Sequence, residues 1–322
     1  MTGLIHAILL DGKGGGRELQ WEEALSLVPN NEEVLWIHLD YTISEAVEWI
    51  THESKINALA AQALLDENTR PRADIYPGGL LLALRGVNLN PGEDPEDMVA
   101  IRLWLETNRV ISTRNRPLLT IREIRSSLLD NKGPKTTGDV ITSLSKRLLN
   151  RMSGAIDQVE DQIIELEEMM LEGSTIILRD QLSRLRRKLI ALKRYLAPQR
   201  EALDALQEIP SDILTDTHIM ELRESRERLH RYIEEINEAR ERASVLHEEI
   251  INSATDVMNQ RMYVLSLVTA IFLPLGFLTG LLGVNVGGIP GSDNPMAFWV
   301  FLGALITGTA VILWAFKIKS WL

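Results

Sequence analysis

Two uncharged apolar runs, residues 262–282 and 297–316, lie near the end of the chain. At about 1.5 Å per helical residue, each covers roughly 30 Å, the thickness of a bilayer's hydrocarbon core. Tyr263, Trp299, Trp314 and Trp321 stand near their ends, where aromatic side chains anchor membrane spans. The pattern upstream is different. Residues 4–11 and 34–41 are short apolar runs bounded by polar turns and read as strands. Residues 80–89, 99–106 and 109–113 read likewise, whereas 44–51 and 55–67 have helical spacing. These elements predict an α/β domain over 1–135, closing at Asn131-Lys132-Gly133-Pro134.

Beyond Thr136 the spacing becomes helical throughout. Residues 143–171 and 175–196 predict two helices turning at Gly173-Ser174. A third is expected from about Ser211 to Leu282, with Pro274 as its one proline, kinking the membrane segment. On it Leu222, Leu229, Ile236, Ala243, Ile250 and Val257 recur every seven residues, a buried seam resembling half of a coiled coil. A second stripe gathers the small and polar residues of the first apolar run: Asn259, Met262, Ser266, Thr269, Leu273, Gly276 and Gly280. Continued downwards it meets Glu227, Glu234, Glu238, Glu241 and Glu248. Two readings stand for each part. The upper stripe either lets helices pack closely or lines a water-filled lumen, and the lower is either an ordinary solvated face or an acidic funnel. The organisation expected is thus a cytosolic α/β domain (1–135), a cytosolic helical domain and stalk (136–260), and a membrane domain (261–322) with an outer loop at 283–296.

Charge fixes the orientation. Arg261 precedes the first span, Lys317 and Lys319 follow the second, and the connector 283–296 has no Lys or Arg. Basic residues stay inside, so both termini are expected in the cytoplasm of an inner-membrane, two-span protein. The chain carries 45 acidic and 34 basic side chains, net −11. That balance argues against nucleic acid, which needs a basic footprint, and suits a surface that gathers cations. Cysteine is absent, which removes disulfides, thiolate metal sites and thiol catalysis. No catalytic constellation appears, so the chain is not expected to be an enzyme, and nothing calls for a cofactor. Asp11-Gly12-Lys13-Gly14-Gly15-Gly16-Arg17 lacks the spacing of a phosphate loop and reads as a turn. His6 and His38 fall within strands and read as core or sheet-face residues. His218, His230 and His247 read as surface or interface histidines of the stalk.

Gly283-Val284-Asn285, closing the first apolar run, resembles the Gly-x-Asn signature of the CorA superfamily of divalent-cation transporters. The order of domains matches that family over essentially the whole chain. The resemblance implies a funnel-shaped homo-oligomer, a pentamer, with the first span lining a central pore and partners limited to further copies, membrane lipid and divalent cations. It places Gly283, Val284 and Asn285 at the pore mouth, where Asn285 meets the ion through its hydration waters. It also places Leu265, one residue from Ser266, near a pore position. The segment after the signature, Val286-Gly287-Gly288-Ile289-Pro290-Gly291, contains no glutamate, unlike the magnesium branch. That departure looks like the zinc-transport branch and implies Zn²⁺ as cargo, taken up and coupled to protons. Transport of magnesium, cobalt or nickel, zinc efflux, and a non-transporting coiled-coil scaffold or metal sensor are the competing readings.

Overall fold

The computed structural model describes residues 2–172, 175–209, 212–283, 289, 291 and 294–318. Gly173, Ser174, Ser211, Val284, Asn285, Lys319 and Trp321, all singled out from the sequence, lie outside that set. The chain divides into two units, Met1–His247 and Glu248–Leu322.

In the first unit seven strands form one sheet: β1 (Leu4–Leu10), β2 (Gly16–Leu19), β3 (Val34–Asp40), β4 (Arg72–Tyr76), β5 (Gly79–Gly86), β6 (Val99–Leu105) and β7 (Arg109–Arg114). Their order is β2-β1-β3-β7-β6-β5-β4. The β3–β7 pair is parallel and the rest are antiparallel. Central strands are covered on both faces, so β6 is buried at every position and reads as a nearly continuous apolar run. The edge strands β2 and β4 are polar and half-open, and no alternation marked them in the sequence. The glycine-rich turn between β1 and β2 is ordered by Asp11, whose Oδ1 accepts from the Lys13 and Gly15 backbone N–H groups. Gly12 and Gly14 take positive φ there, which side chains resist.

Helices α1 (Trp21–Ser26), α2 (Ser44–Glu48) and α3 (Ala58–Leu65) cover one sheet face. Leu35, Ile37, Leu39, Trp49, Leu64, Trp104 and Ile111 form its core. Helix α4 (Leu119–Leu129) lies on the opposite side, over His6 and His38. Two buried arginines bind the 66–71 segment to the sheet. Arg85 donates to the carbonyls of Thr69 and Met98 and lies 4.0 Å from the Tyr195 ring centre. Arg102 donates to Thr69 Oγ1 and the Glu67 carbonyl.

Helix α5 (Thr137–Leu171) begins six residues earlier than its apolar periodicity indicated, because a capping box starts it. Thr136 Oγ1 accepts from the Asp139 N–H, and Asp139 Oδ2 accepts from the N–H groups of Thr136 and Lys135. Helix α6 (Thr175–Glu208) does not stop before Pro198, as its sequence implied, but passes through it. Proline removes one N–H and crowds the preceding turn. Packing beyond it outweighs that loss: Leu196, Ala202, Leu203 and Leu206 are buried, and Gln199 Oε1 accepts the Arg85 N–H at 2.7 Å.

Helix α7 (Asp216–Leu282) starts later than the expected Ser211 and continues through Pro274. Its seven-residue seam is buried within this chain as far as Ile250: Leu222, Leu229 and Ala243 have no exposure, Ile236 is 1% and Ile250 7% exposed, whereas Val257, expected on the same seam, is 45% exposed. Cross-links flank the seam. Arg242 forks onto Glu167 of α5 at 2.8 and 2.5 Å, Arg226 meets Asp204 of α6 at 2.5 Å, and Lys193 of α6 donates to Asn237 at 2.6 Å. At the start of α7, His218 Nε2 lies 2.9 Å from Asp139 Oδ1. The fit is tight, since a Cβ on Gly138 would stand 2.4 Å from the His218 ring.

The second unit holds the rest of α7 and α8 (Ala297–Ile318). Both helices are long and apolar enough to cross a membrane, and their apolar windows hold no buried residue. Partly shielded positions fall on one stripe of each: Tyr263, Leu267, Ala270, Ile271 and Leu275 on α7, and Phe301, Leu305, Thr309, Ile312 and Phe316 on α8.

Candidate ion-conducting surface

Asn259, Met262, Ser266, Thr269, Leu273, Gly276 and Gly280 are all exposed on α7. At about 100° per helical residue, the row is centred roughly 135° around the helix from the shielded stripe. This row is therefore distinct from the face that its own unit shades. A Cβ on Gly276 or Gly280 would meet nothing within 4 Å, so nothing in this chain's packing requires glycine there. Gly283 differs. Its N–H bonds the Thr279 carbonyl at 2.9 Å, and a Cβ would come within 2.7 Å of that oxygen.

Thr269 carries a specific chemistry. Its hydroxyl donates to the Leu265 carbonyl at 2.8 Å. With the proton spent along the helix, the oxygen presents only lone pairs outward. Thr255 does the same towards Ile251, and Thr279 towards Leu275. Such a surface offers acceptors to the waters of a hydrated cation without bearing charge. Leu265, the neighbour of Ser266, is 67% exposed, so exposure does not separate the two positions.

The acidic continuation is also exposed: Glu227, Glu234, Glu238 and Glu241 in the first unit, Glu248 in the second. Glu227 pairs with Arg226, and Glu234 lies 3.5 Å from His230. Among the described residues Glu238, Glu241 and Glu248 form no ion pair. Sequence reading overlooked the contribution of α5 to this surface. Glu235 has its carboxyl pushed up by burial and by Glu160 and Asp157, so negative charge is crowded where α5 meets α7. The acidic run of α5 was the available signal. Among the described residues, the arginine ion pairs joining α7 to α5 and α6 are made by α7 arginines on α5 and α6 carboxylates. His218 is buried at an interface, and His230 lies 3.4 Å from Arg200. No cluster of three or more His, Asp or Glu able to hold a metal occurs among the described residues.

Residues 31–317 match the sequence model of the family described as CorA-like Mg2+ transporter protein. The chain is 41% identical to the divalent cation transporter CmaX of Pseudomonas aeruginosa, over 99% of this chain and 97% of that one. It is 36% identical to the zinc transport protein ZntB of Pectobacterium carotovorum, over 100% of this chain and 97% of the relative. Among solved structures, the full-length CmaX protein superposes with a TM-score of 0.84 at 38% identity, covering 99% of this chain and 98% of that one. The complete CorA magnesium transporter of Methanocaldococcus jannaschii superposes at 0.82 with 18% identity, covering 99% of each chain, a likeness of fold.

Proposed function

Since the chain belongs to the CorA-like family and is a divalent-cation transporter, we propose that its cargo is Zn²⁺, moved through a pore that copies of α7 line together. The observation that carries this reading is the exposed row from Asn259 to Gly280, which is uncharged and, Met262 and Leu273 aside, small or acceptor-bearing in an otherwise greasy segment. Two spans cannot enclose a pore, so the row acquires a lumen only around a symmetry axis, and the family resemblance supports five copies. Gly283, Val284 and Asn285 form the mouth, Asn285 binding the ion through its waters. The glutamates of α7 form the acidic approach on the cytoplasmic side. Zinc is supported by the relatives named ZntB and by the glutamate-free connector after Asn285.

In this arrangement residues 1–135 and 136–260 are cytosolic, both termini lie inside and 283–296 faces out, as the basic residues require. The mouth offers amides and carbonyls, too weak to strip a dication of its waters, so the ion enters largely hydrated. Thr269 and Ser266 receive it as acceptors. An inside-negative potential of 100 mV favours entry of a dication by about 4.6 kcal/mol, so a passive path gives uptake. No acid, base or histidine lies in 262–282 or 297–316, so any proton coupling runs through the cytosolic carboxylates or His247.

The test is flux into proteoliposomes carrying the purified protein. Zn²⁺ uptake above empty liposomes, reduced at least fivefold by Asn285→Ala, is expected. Zinc flux no greater than in empty liposomes, with and without a pH gradient, would sink the reading. Magnesium is the second cargo to assay, because the matching family is described by that ion. Mg²⁺ flux exceeding Zn²⁺ flux under the same potential reverses the assignment.

A further inference from the structure

A second polar site lies far from the conducting row in sequence, on the side of the sheet that α4 covers. His6 of β1 and His38 of β3 stand directly opposite each other in the antiparallel register. Their ring centres are 5.0 Å apart, and His6 meets Trp36 edge-on at 5.0 Å. Trp36 Nε1 donates to Ser112 Oγ at 2.8 Å, and that oxygen lies 2.8 Å from His38 Nδ1. Ser112 is fully buried, so its own proton needs an acceptor. Giving that proton to Nδ1 satisfies both groups and leaves His38 with an Nε2–H donor. Among the described residues neither His6 Nε2 nor His38 Nε2 has a hydrogen-bond partner, although the two residues are only 7% and 0% exposed.

Both imidazoles line a cavity of about 240 Å³ whose other walls are Ile5, Arg114, Ile121, Arg122 and Arg125. Three guanidinium groups and no carboxylate line it. Arg125 is held by Glu18 at 2.5 Å, and Asp40 acts on Arg114 from outside the lining. Arg122 forms no ion pair among the described residues, and Arg114 Nε is buried without a partner. This field repels a metal cation, although two imidazoles invite one. Burial, then Arg125 and Arg114, lower the His6 pKa to about 3, and burial, His6 and Arg114 hold His38 well below its usual value. The histidines are therefore neutral near pH 7. The arginines supply the charge and the imidazoles supply hydrogen bonds.

We propose that this cavity binds the phosphate group of a small molecule, with Arg114 and Arg122 gripping the oxyanion and His38 Nε2–H donating to it. Arginine forks match phosphate oxygens in pairs, and buried neutral donors complete the shell without repelling each other. The space leaves room for a small body beyond the phosphate but falls below the range usual for drug-sized ligands. Neither the histidines nor the arginines belong to the conducting row, so this site stands or falls independently of the transported ion.

Isothermal titration of the detergent-solubilised full chain, in phosphate-free buffer, tests it with inorganic phosphate, AMP and Zn²⁺. Saturable binding of phosphate or AMP is expected, weakened at least tenfold by Arg122→Ala and by Arg114→Gln. The exposed control Arg179→Ala should bind as wild type does. Tighter binding of AMP than of phosphate assigns the site to a nucleotide-like metabolite, and equal binding assigns it to free phosphate. Arg122 is exposed, so its substitution leaves the fold intact even if Arg114→Gln disturbs it. The proposal is overturned if neither anion binds saturably, if both arginine variants bind as wild type does, or if Zn²⁺ competes with phosphate for the cavity.

Discussion

His6 and His38 show how one residue's surroundings set a property of the whole soluble unit. An unfolded chain protonates each near pH 6.5, whereas folded His6 waits until about 3 and His38 is likewise depressed. Between those values the unfolded state binds more protons, so stability falls as pH falls. Each histidine contributes a slope of about 1.4 kcal/mol per pH unit in that window. Chemical denaturation of the full chain should therefore show a clear loss of stability between pH 6.5 and 5, above the range where carboxylates titrate. His38→Asn should flatten the slope by about half, and an unchanged slope would place the acid sensitivity elsewhere. Asp139 works in the opposite range. Burial raises its carboxyl, but hydrogen bonds from His218 and from the Lys135 and Thr136 N–H groups outweigh that and leave it below the ordinary value. Its contribution is lost only at more acidic pH.

The helices carry their own predictions. Removing the α5 cap with Thr136→Ala should cost about 1 kcal/mol, readable as a lower denaturation midpoint at unchanged m-value. Leu229→Ala, in the middle of the seam, should cost about 2–5 kcal/mol, because the removed side chain is fully buried among rigid helices. Val257→Ala, on the same seven-residue phase but 45% exposed here, should cost much less. This contrast also marks what the sequence could convey. Strand interiors and the seam were legible because burial demands a repeating apolar position. Strands β2 and β4 were not, being polar edges, and α6 was cut short at Pro198 because a compensating contact, the Arg85 N–H on Gln199, comes from a residue remote in sequence. The row from Asn259 to Gly280 showed in the sequence as a stripe, yet exposure in one chain does not distinguish a lumen from a helix interface. The cavity at His6 and His38 left no local signal, since the register of β1 on β3 brings its parts together.

At the scale of the whole molecule, charge is the quantity to vary. The net charge is −11, and five exposed glutamates of α7, Glu227, Glu234, Glu238, Glu241 and Glu248, lie along one row. Ion attraction to such a row is screened over about 10 Å at 0.1 M salt. Zinc flux should fall several-fold as monovalent salt is raised from 20 to about 200 mM, a span over which the screening length drops to a third. Glu234→Gln, Glu238→Gln and Glu241→Gln together should remove most of that dependence. A salt response that survives the triple change would assign attraction to other carboxylates, with Glu160 and Asp157 the next to test.

The clasp between Asp139 and His218 has a consequence in time. It joins the start of α5 to the start of α7, and every partner it needs precedes the first apolar run in the chain. Translation at about 5–20 residues per second separates His218 from Met262 by roughly 2–9 seconds. Helices form within microseconds. The start of α7 can thus dock on α5 while the first apolar run is still being synthesised, so the nascent chain reaches the membrane with that end of the helix already anchored. Slowing the docking, as Gly138→Ala would by pushing on His218, should show itself during biogenesis: less protein inserted per ribosome, even where the mature protein works normally.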